Sequence, residues 1–215
     1  MAKRLVIWGA SGHARVLWEF LAGDHELVGL FDNDPNAVSP FPGVPIFHGR
    51  KGFTRWSESR GEGEFFGLVA IGGSRGRDRC EIHDWFVKHE LTLCTAIHPS
   101  AYVAGDAIVG MGSHVLANAT VCTSVRMGRQ CIVNTASSVD HESILGDGVH
   151  LAPGVILTGR VNVGAHTLIG AGSTVLPDVR IGADATVGAG SLVTRDVPDG
   201  VVVWGSPARI RRHHG

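Results

Sequence analysis

The chain has 215 residues, with 19 Lys and Arg against 20 Asp and Glu, so its net charge of −1 gives no basic field for nucleic acid or an anionic membrane surface. No apolar run approaches the roughly 18 residues of a membrane span, and the N-terminus enters a strand pattern directly, which argues against insertion and secretion. Cys80, Cys94, Cys122 and Cys131 have neither metal-site nor redox spacing, so free thiols in a reducing, cytoplasmic setting are expected.

A composition shift near Thr95 divides the chain into an expected α/β domain over 1–95 and a second domain over 96–215; four of the five Trp precede Ala96. In the first part, Arg4 to Trp8 reads as a buried strand, Gly9 to His13 as a turn and Ala14 to Ala22 as a helix. Glu26 to Phe31 returns as a strand ending on Asp32-Asn33-Asp34-Pro35, and Phe65 to Ile71 is a strand ending on Gly72-Gly73-Ser74. A helix follows across Arg77 to Lys88. This alternation predicts a small Rossmann-like domain with a parallel sheet. Ligands of such sheets lie beyond the carboxyl ends of the strands, where Gly-rich turns admit a phosphate. Neither G-x-G-x-x-G nor a P-loop is complete, which argues against a dinucleotide or ATP. A nucleotide diphosphate held by Ser11, Gly12 and His13, with Asp32 or Asn33 reading base or ribose, is the functional expectation; plain tight turns are the structural one.

From Ile97 to Val193 an apolar residue recurs at every sixth position, seventeen times without a slip, and a small or β-branched residue sits four places after each one. Neither a helix nor plain alternation has that period, whereas a parallel β-helix does, with three hexapeptides per triangular coil. The glycines directly after anchors, such as Gly110, Gly146 and Gly164, are expected at corners that bend tightly or need positive φ. A structural rod is the plain reading of such a repeat.

Chemistry is sought where ionisable residues interrupt the pattern. The conspicuous break is Asp140-His141-Glu142, with His150 nine residues later. A carboxylate beside a histidine fixes its tautomer and raises its basicity, as a general base requires. Nine residues is half of an eighteen-residue coil, so His141 and His150 belong to different parts of the perimeter. A homotrimer whose sites form between subunits would bring such positions together. His83 and His89 lie beside Trp85 and Phe86, where packing is the expectation.

The hexapeptide series, the Gly-Ala-Ser-Gly-His turn, the stretch Ser137 to Asp147 and the closing Gly205-Ser206-Pro207-Ala208-Arg209 together resemble the left-handed β-helix acyltransferases of the sialic-acid O-acetyltransferase type. Among these the chain is most similar to the N-acetyltransferases of nucleotide-linked amino sugars. The resemblance implies acetyl-CoA as co-substrate without a metal, His141 as general base, and support from Glu142. It implies Asn134 near the sugar, and His150 with the backbone around Gly159, Ala171 and Ala189 along the acetyl-CoA channel. Ser11 to His13, Asp32-Asn33 and Gly72 with Gly73 would hold the nucleotide. Relatives often carry Glu where this chain has Asp140, which leaves the division of labour between Asp140 and Glu142 open. Arg209, at the end of the prism, fits contact with coenzyme A phosphates. The acceptor implied is the 4-amino group of a GDP-linked sugar, GDP-perosamine, ahead of a UDP-linked 4-amino-trideoxy sugar. O-acetylation of a sialic acid or another sugar hydroxyl is the rival within the same chemistry. Zinc-dependent hydration through His114, His141, His150 and His166, and a non-catalytic scaffold, are the rivals outside it.

Overall fold

A computed structural model describes residues 2–213. The chain forms two compact units: residues 1–72 with 81–94, and residues 73–80 with 95–215.

The first unit contains β1 (Lys3–Trp8), α1 (Gly12–Leu21), β2 (His25–Asp32), β3 (Ile46–His48), α2 (Gly49–Ser59) and β4 (Phe65–Val69). Helix α3 (Gly76–Lys88) contributes its residues from Glu81 onward, and β5 (Thr92–Leu93) completes the sheet. The five strands are parallel in the order β3-β2-β1-β4-β5, so chain order reverses between β1 and β4. Gly9 occupies that reversal with φ +110°, and a Cβ there would lie 2.5 Å from the Ala70 carbonyl oxygen. Only glycine permits this approach. The core is aromatic: Trp8 stacks on Phe31 at 5.7 Å, and Phe53 meets Phe31 edge-on at 5.0 Å. Strand β3 and helix α2 were not expected from the sequence, and the first helix starts at Gly12 rather than Ala14.

The second unit is a left-handed β-helix of seventeen two-residue strands, β6 to β22, running from Ala96–Ile97 to Leu192–Val193. Each anchor closes its strand, and from Ile97 to Val175 each pairs with the residue eighteen positions on, as in Val121↔Val139, Val139↔Leu157 and Leu157↔Val175. The anchors from Val115 to Val193 are buried. Ile97, by contrast, is 44 % exposed, because the first coil is stacked from one side only.

The small residues of the second column are buried as well from Ser113 onward, and the hydroxyls among them are satisfied by a repeating device. Ser137, Ser143, Thr167 and Ser173 each donate to the carbonyl fifteen residues ahead, at 2.7–3.2 Å. Each also accepts the amide N–H eighteen residues ahead, at 3.1–3.3 Å. A buried hydroxyl with both functions occupied carries no desolvation penalty of the kind an orphan would.

The corner glycines differ from expectation. Positive φ falls three places after the anchor, at Asn118, Gln130, Glu142, Gly154, Arg160 and His166 among others, and not at the glycines directly after anchors. Those serve stacking: a Cβ at Gly110 would lie 2.4 Å from the Gly128 carbonyl, and one at Gly164 would lie 2.3 Å from the Ala183 nitrogen. The C-terminal β23 (Val201–Gly205) continues one face, and β24 (Ala208–His213) returns antiparallel along it.

Candidate active site

In the first unit the expected nucleotide residues lie at the carboxyl ends of β1, β2 and β4. Ser11 is the extended N-cap of α1 and its side chain makes no capping bond; Gly12 opens the helix and His13 follows. Asp32 ends β2 and ties two turns together. Its Oδ2 accepts the Ala10 N–H at 2.8 Å, and its Oδ1 accepts the Asp34 N–H at 3.0 Å. Asn33 beside it is exposed, and Gly72 is the last residue of the unit's first segment. Gly73 belongs instead to the second unit.

In the second unit, His141 occupies the corner between β13 (Ser138–Val139) and β14 (Ile144–Leu145). Its Nδ1 stands 3.0 Å from Glu142 Oε2. Glu142 adopts φ +60°, the left-handed corner conformation, with its N–H bonded to the Thr123 carbonyl. Asp140 faces a different partner. Its Oδ1 accepts the His141 N–H at 2.8 Å, and its carboxylate lies beside the Cys122 thiol, which burial and then Asp140 push upward in pKa. Glu142 is therefore the carboxylate on the imidazole, and Asp140 shapes the turn. A Cβ at Gly159 would come within 2.5 Å of His141 Nε2, so the ring rests over that glycine one coil further on. Gly159 thus contributes the absence of a side chain.

His150 opens β15 (His150–Leu151) on another face, where it stacks between Ile132 and Leu168. The repeat turns this position outward, yet His150 is only 6 % exposed. Its Nδ1 meets the Gly73 carbonyl at 3.1 Å, and its Nε2 lies 3.3 Å from Asn134 Nδ2. Asn134 Oδ1 in turn accepts the Thr135 N–H at 2.8 Å. Asn134 and His150 are thus joined, while His141 occupies a separate corner. Arg79, buried in the same region, was not singled out by the sequence: Arg75, Arg77 and Arg79 look alike there, and only docking of residues 73–80 distinguishes the third.

Burial pushes the His150 imidazole down to about 4, with the nearby Arg79 charge acting in the same direction against its bond to Gly73. The unfolded chain protonates this histidine near pH 6.5, so between those values it binds the proton that the folded chain refuses. This stabilisation is complete above about pH 6.5 and is lost as pH falls towards 4, on the order of 3 kcal/mol in all. Thermal unfolding between pH 7 and pH 4.5 should show the loss, and His150→Gln should flatten that slope.

Ala171 and Ala189 stack eighteen residues apart in an exposed corner, where the Gly190 N–H donates to the Ala171 carbonyl at 2.8 Å. Gly159 lies in the corner of His141 instead. Arg209 is exposed on β24, its guanidinium turned back to the Ala208 carbonyl at 2.8 Å. Among the described residues no group of three or more His, Cys, Asp or Glu is placed to hold a metal ion. His114 and His150 share one face, whereas His141 and His166 sit in corners. Nor is any described helix long and apolar enough to cross a membrane.

Comparison with known proteins gives concordant results for both units. The family described as PglD N-terminal domain matches residues 4–81, and the bacterial transferase hexapeptide family matches residues 160–195. GDP-perosamine N-acetyltransferase of Escherichia coli O157:H7 is 33% identical over 146 residues, which cover 66% of this chain and 65% of that protein, slightly under two thirds of its length. A variant of perosamine N-acetyltransferase from Caulobacter crescentus, solved with CoA and GDP-perosamine, is 34% identical with a TM-score of 0.88, covering 99% of this chain and 98% of that one. The acetyltransferase domain of PglB from Neisseria gonorrhoeae, solved with acetyl coenzyme A, is 31% identical with a TM-score of 0.86, over 98% of this chain and 100% of that one. With the hexapeptide period, the parallel-sheet domain and these likenesses in agreement, the chain belongs to the left-handed β-helix, hexapeptide-repeat acyltransferases with a PglD-type N-terminal domain, close to the perosamine N-acetyltransferases.

Proposed function

We propose that this chain transfers the acetyl group of acetyl-CoA to the 4-amino group of a nucleotide-linked amino-deoxy sugar, with GDP-perosamine the favoured acceptor. The observation that carries the proposal is the His141–Glu142 pair, with Nε2 set over a residue that has no side chain. An amino sugar arrives largely as an ammonium, which has no lone pair for attack. Glu142 holds the proton on His141 Nδ1, so Nε2 is the basic nitrogen and takes the proton from the amine. Nε2 passes that first proton to water; as the amine nitrogen then bonds to the thioester carbonyl carbon it gives up a second proton to Nε2, the carbon–sulfur bond breaks, and the thiolate leaves with this second proton. No acetyl-enzyme is required. Cys122, the cysteine near this corner, has its thiol pKa raised and is unsuited to act as a nucleophile.

The nucleotide is assigned to Ser11, Gly12, His13, Asp32, Asn33, Gly72 and Gly73, and the sugar to the vicinity of Asn134. Acetyl-CoA is assigned to His150, Gly159, Ala171, Ala189 and Arg209. The working form is a homotrimer with sites between subunits. Its support is exposed apolar side chains on the two faces that meet at the His141 corner: Ile144, 45 % exposed, and Ile108 on one, and Ile156, 45 % exposed, and Tyr102 on the other. Side chains of this kind find cover in a stable interface. A monomer with full activity would contradict the trimer.

The substrate assignment is tested by steady-state kinetics with GDP-linked and UDP-linked 4-amino sugars and with a sialic acid at fixed acetyl-CoA. The highest kcat/KM is expected for GDP-perosamine; preference for the sialic acid would establish O-acetylation instead.

A further inference from the structure

Residues 73–80 are seated on the β-helix by two devices. The first is glycine against glycine: a Cβ at Gly76 would lie 2.4 Å from the Gly148 carbonyl oxygen and 2.8 Å from His166 Cα, so only glycine allows the approach. The second is Arg79, fully buried. Its Nε donates to the Gln130 carbonyl at 3.0 Å and its Nη2 to the Gly148 carbonyl at 2.6 Å. Gln130 and Gly148 hold the same corner position one coil apart, both with positive φ, so one guanidinium fastens two successive coils. Its Nη1 reaches the Gly73 carbonyl at 3.5 Å, a longer and weaker contact.

That same Gly73 carbonyl faces His150 Nδ1 at 3.1 Å. A carbonyl only accepts, so Nδ1 carries the hydrogen. In a neutral imidazole Nε2 is then bare, which suits the Asn134 amide group 3.3 Å away. The neutral form is the one that burial of His150 favours.

We infer that Arg79 is a positioning residue of the transfer site: by fastening residues 73–80 across two coils it holds the Gly73 carbonyl against His150, and so presents His150 Nε2 as a hydrogen-bond acceptor. An acceptor at that position orients the Asn134 amide or, in its place, an N–H of the incoming substrate. The catalytic consequence rests on the acetyl-transfer function proposed above, whereas the tautomer of His150 does not.

The test measures the ¹⁵N shifts of His150 together with steady-state kinetics, in the wild type and in Arg79→Lys. A lysine lacks the planar fork that spans two carbonyls. The wild type is expected to carry its proton on Nδ1. Arg79→Lys is expected to mix the two tautomers and to lower kcat about tenfold, with KM for both substrates little changed. A wild-type proton on Nε2 overturns the inference, whether or not the variant folds. So does a variant in which one readout moves without the other, or in which neither moves. An inactive wild type would refute the proposed reaction, and the role of Arg79 in fixing His150 would then be decided by the tautomer alone: mixed in Arg79→Lys it stands, unchanged from the wild type it falls.

Discussion

Replacing His141 by Asn is expected to lower kcat by roughly 10²–10⁴-fold while leaving the fold intact. The imidazole stands over Gly159 at a corner whose backbone is fixed by its own ladder: the His141 carbonyl accepts the Arg160 N–H at 2.9 Å. Losing the ring removes the base without removing a structural support. Glu142→Gln should follow in the same direction with a smaller loss, because an amide in place of the carboxylate no longer stabilises the imidazolium that forms during transfer. Asp140→Asn should cost little turnover, since that carboxylate serves the turn and not the ring. Equal losses from the two carboxylate variants would contradict the division of labour between them.

The second large effect concerns stacking. Gly164→Ala is expected to destabilise the β-helix by about 3 kcal/mol, because the new Cβ would lie 2.3 Å from a backbone nitrogen and 2.6 Å from a backbone carbon of the next coil, neither of which can rotate away. Gly154→Ala provides the contrast. It has φ +69° but nothing nearer than 3.9 Å, so its cost is the modest one of a left-handed alanine, about 1 kcal/mol. Chemical denaturation of the two variants would separate the effects. Similar costs would mean that corner conformation, and not coil spacing, selects these glycines.

That contrast also marks how much the sequence reveals. The six-residue period locates every anchor, because one side-chain direction recurs at one chain interval, and the stacked registers follow it without a shift. The period identifies which residues share a corner, but does not separate a glycine required for φ from one required for spacing, since spacing depends on the coil above. Helix α2 is illegible in the sequence for a different reason. Its sequence, Gly49 to Ser59, offers only Phe53 and Trp56 as large apolar residues among basic and hydroxyl side chains. Its support is tertiary: both rings pack on Phe31, and Gly52 lets the helix come close to Phe47. In the candidate site the acid-flanked histidine was legible, but which acid serves it was not. Adjacent carboxylates look equivalent in a string of letters, and the left-handed φ at Glu142 is what separates them. Arg79 was hidden in the same way, because its partners are carbonyls of distant corners.

The most direct test of the account is to incubate the protein with acetyl-CoA and GDP-perosamine, follow release of free thiol, and identify the product. Stoichiometric thiol release coupled to an amide on the 4-amino nitrogen is expected, abolished to within a small residue in His141→Asn. Thiol release without amide formation, or undiminished turnover in that variant, would contradict it.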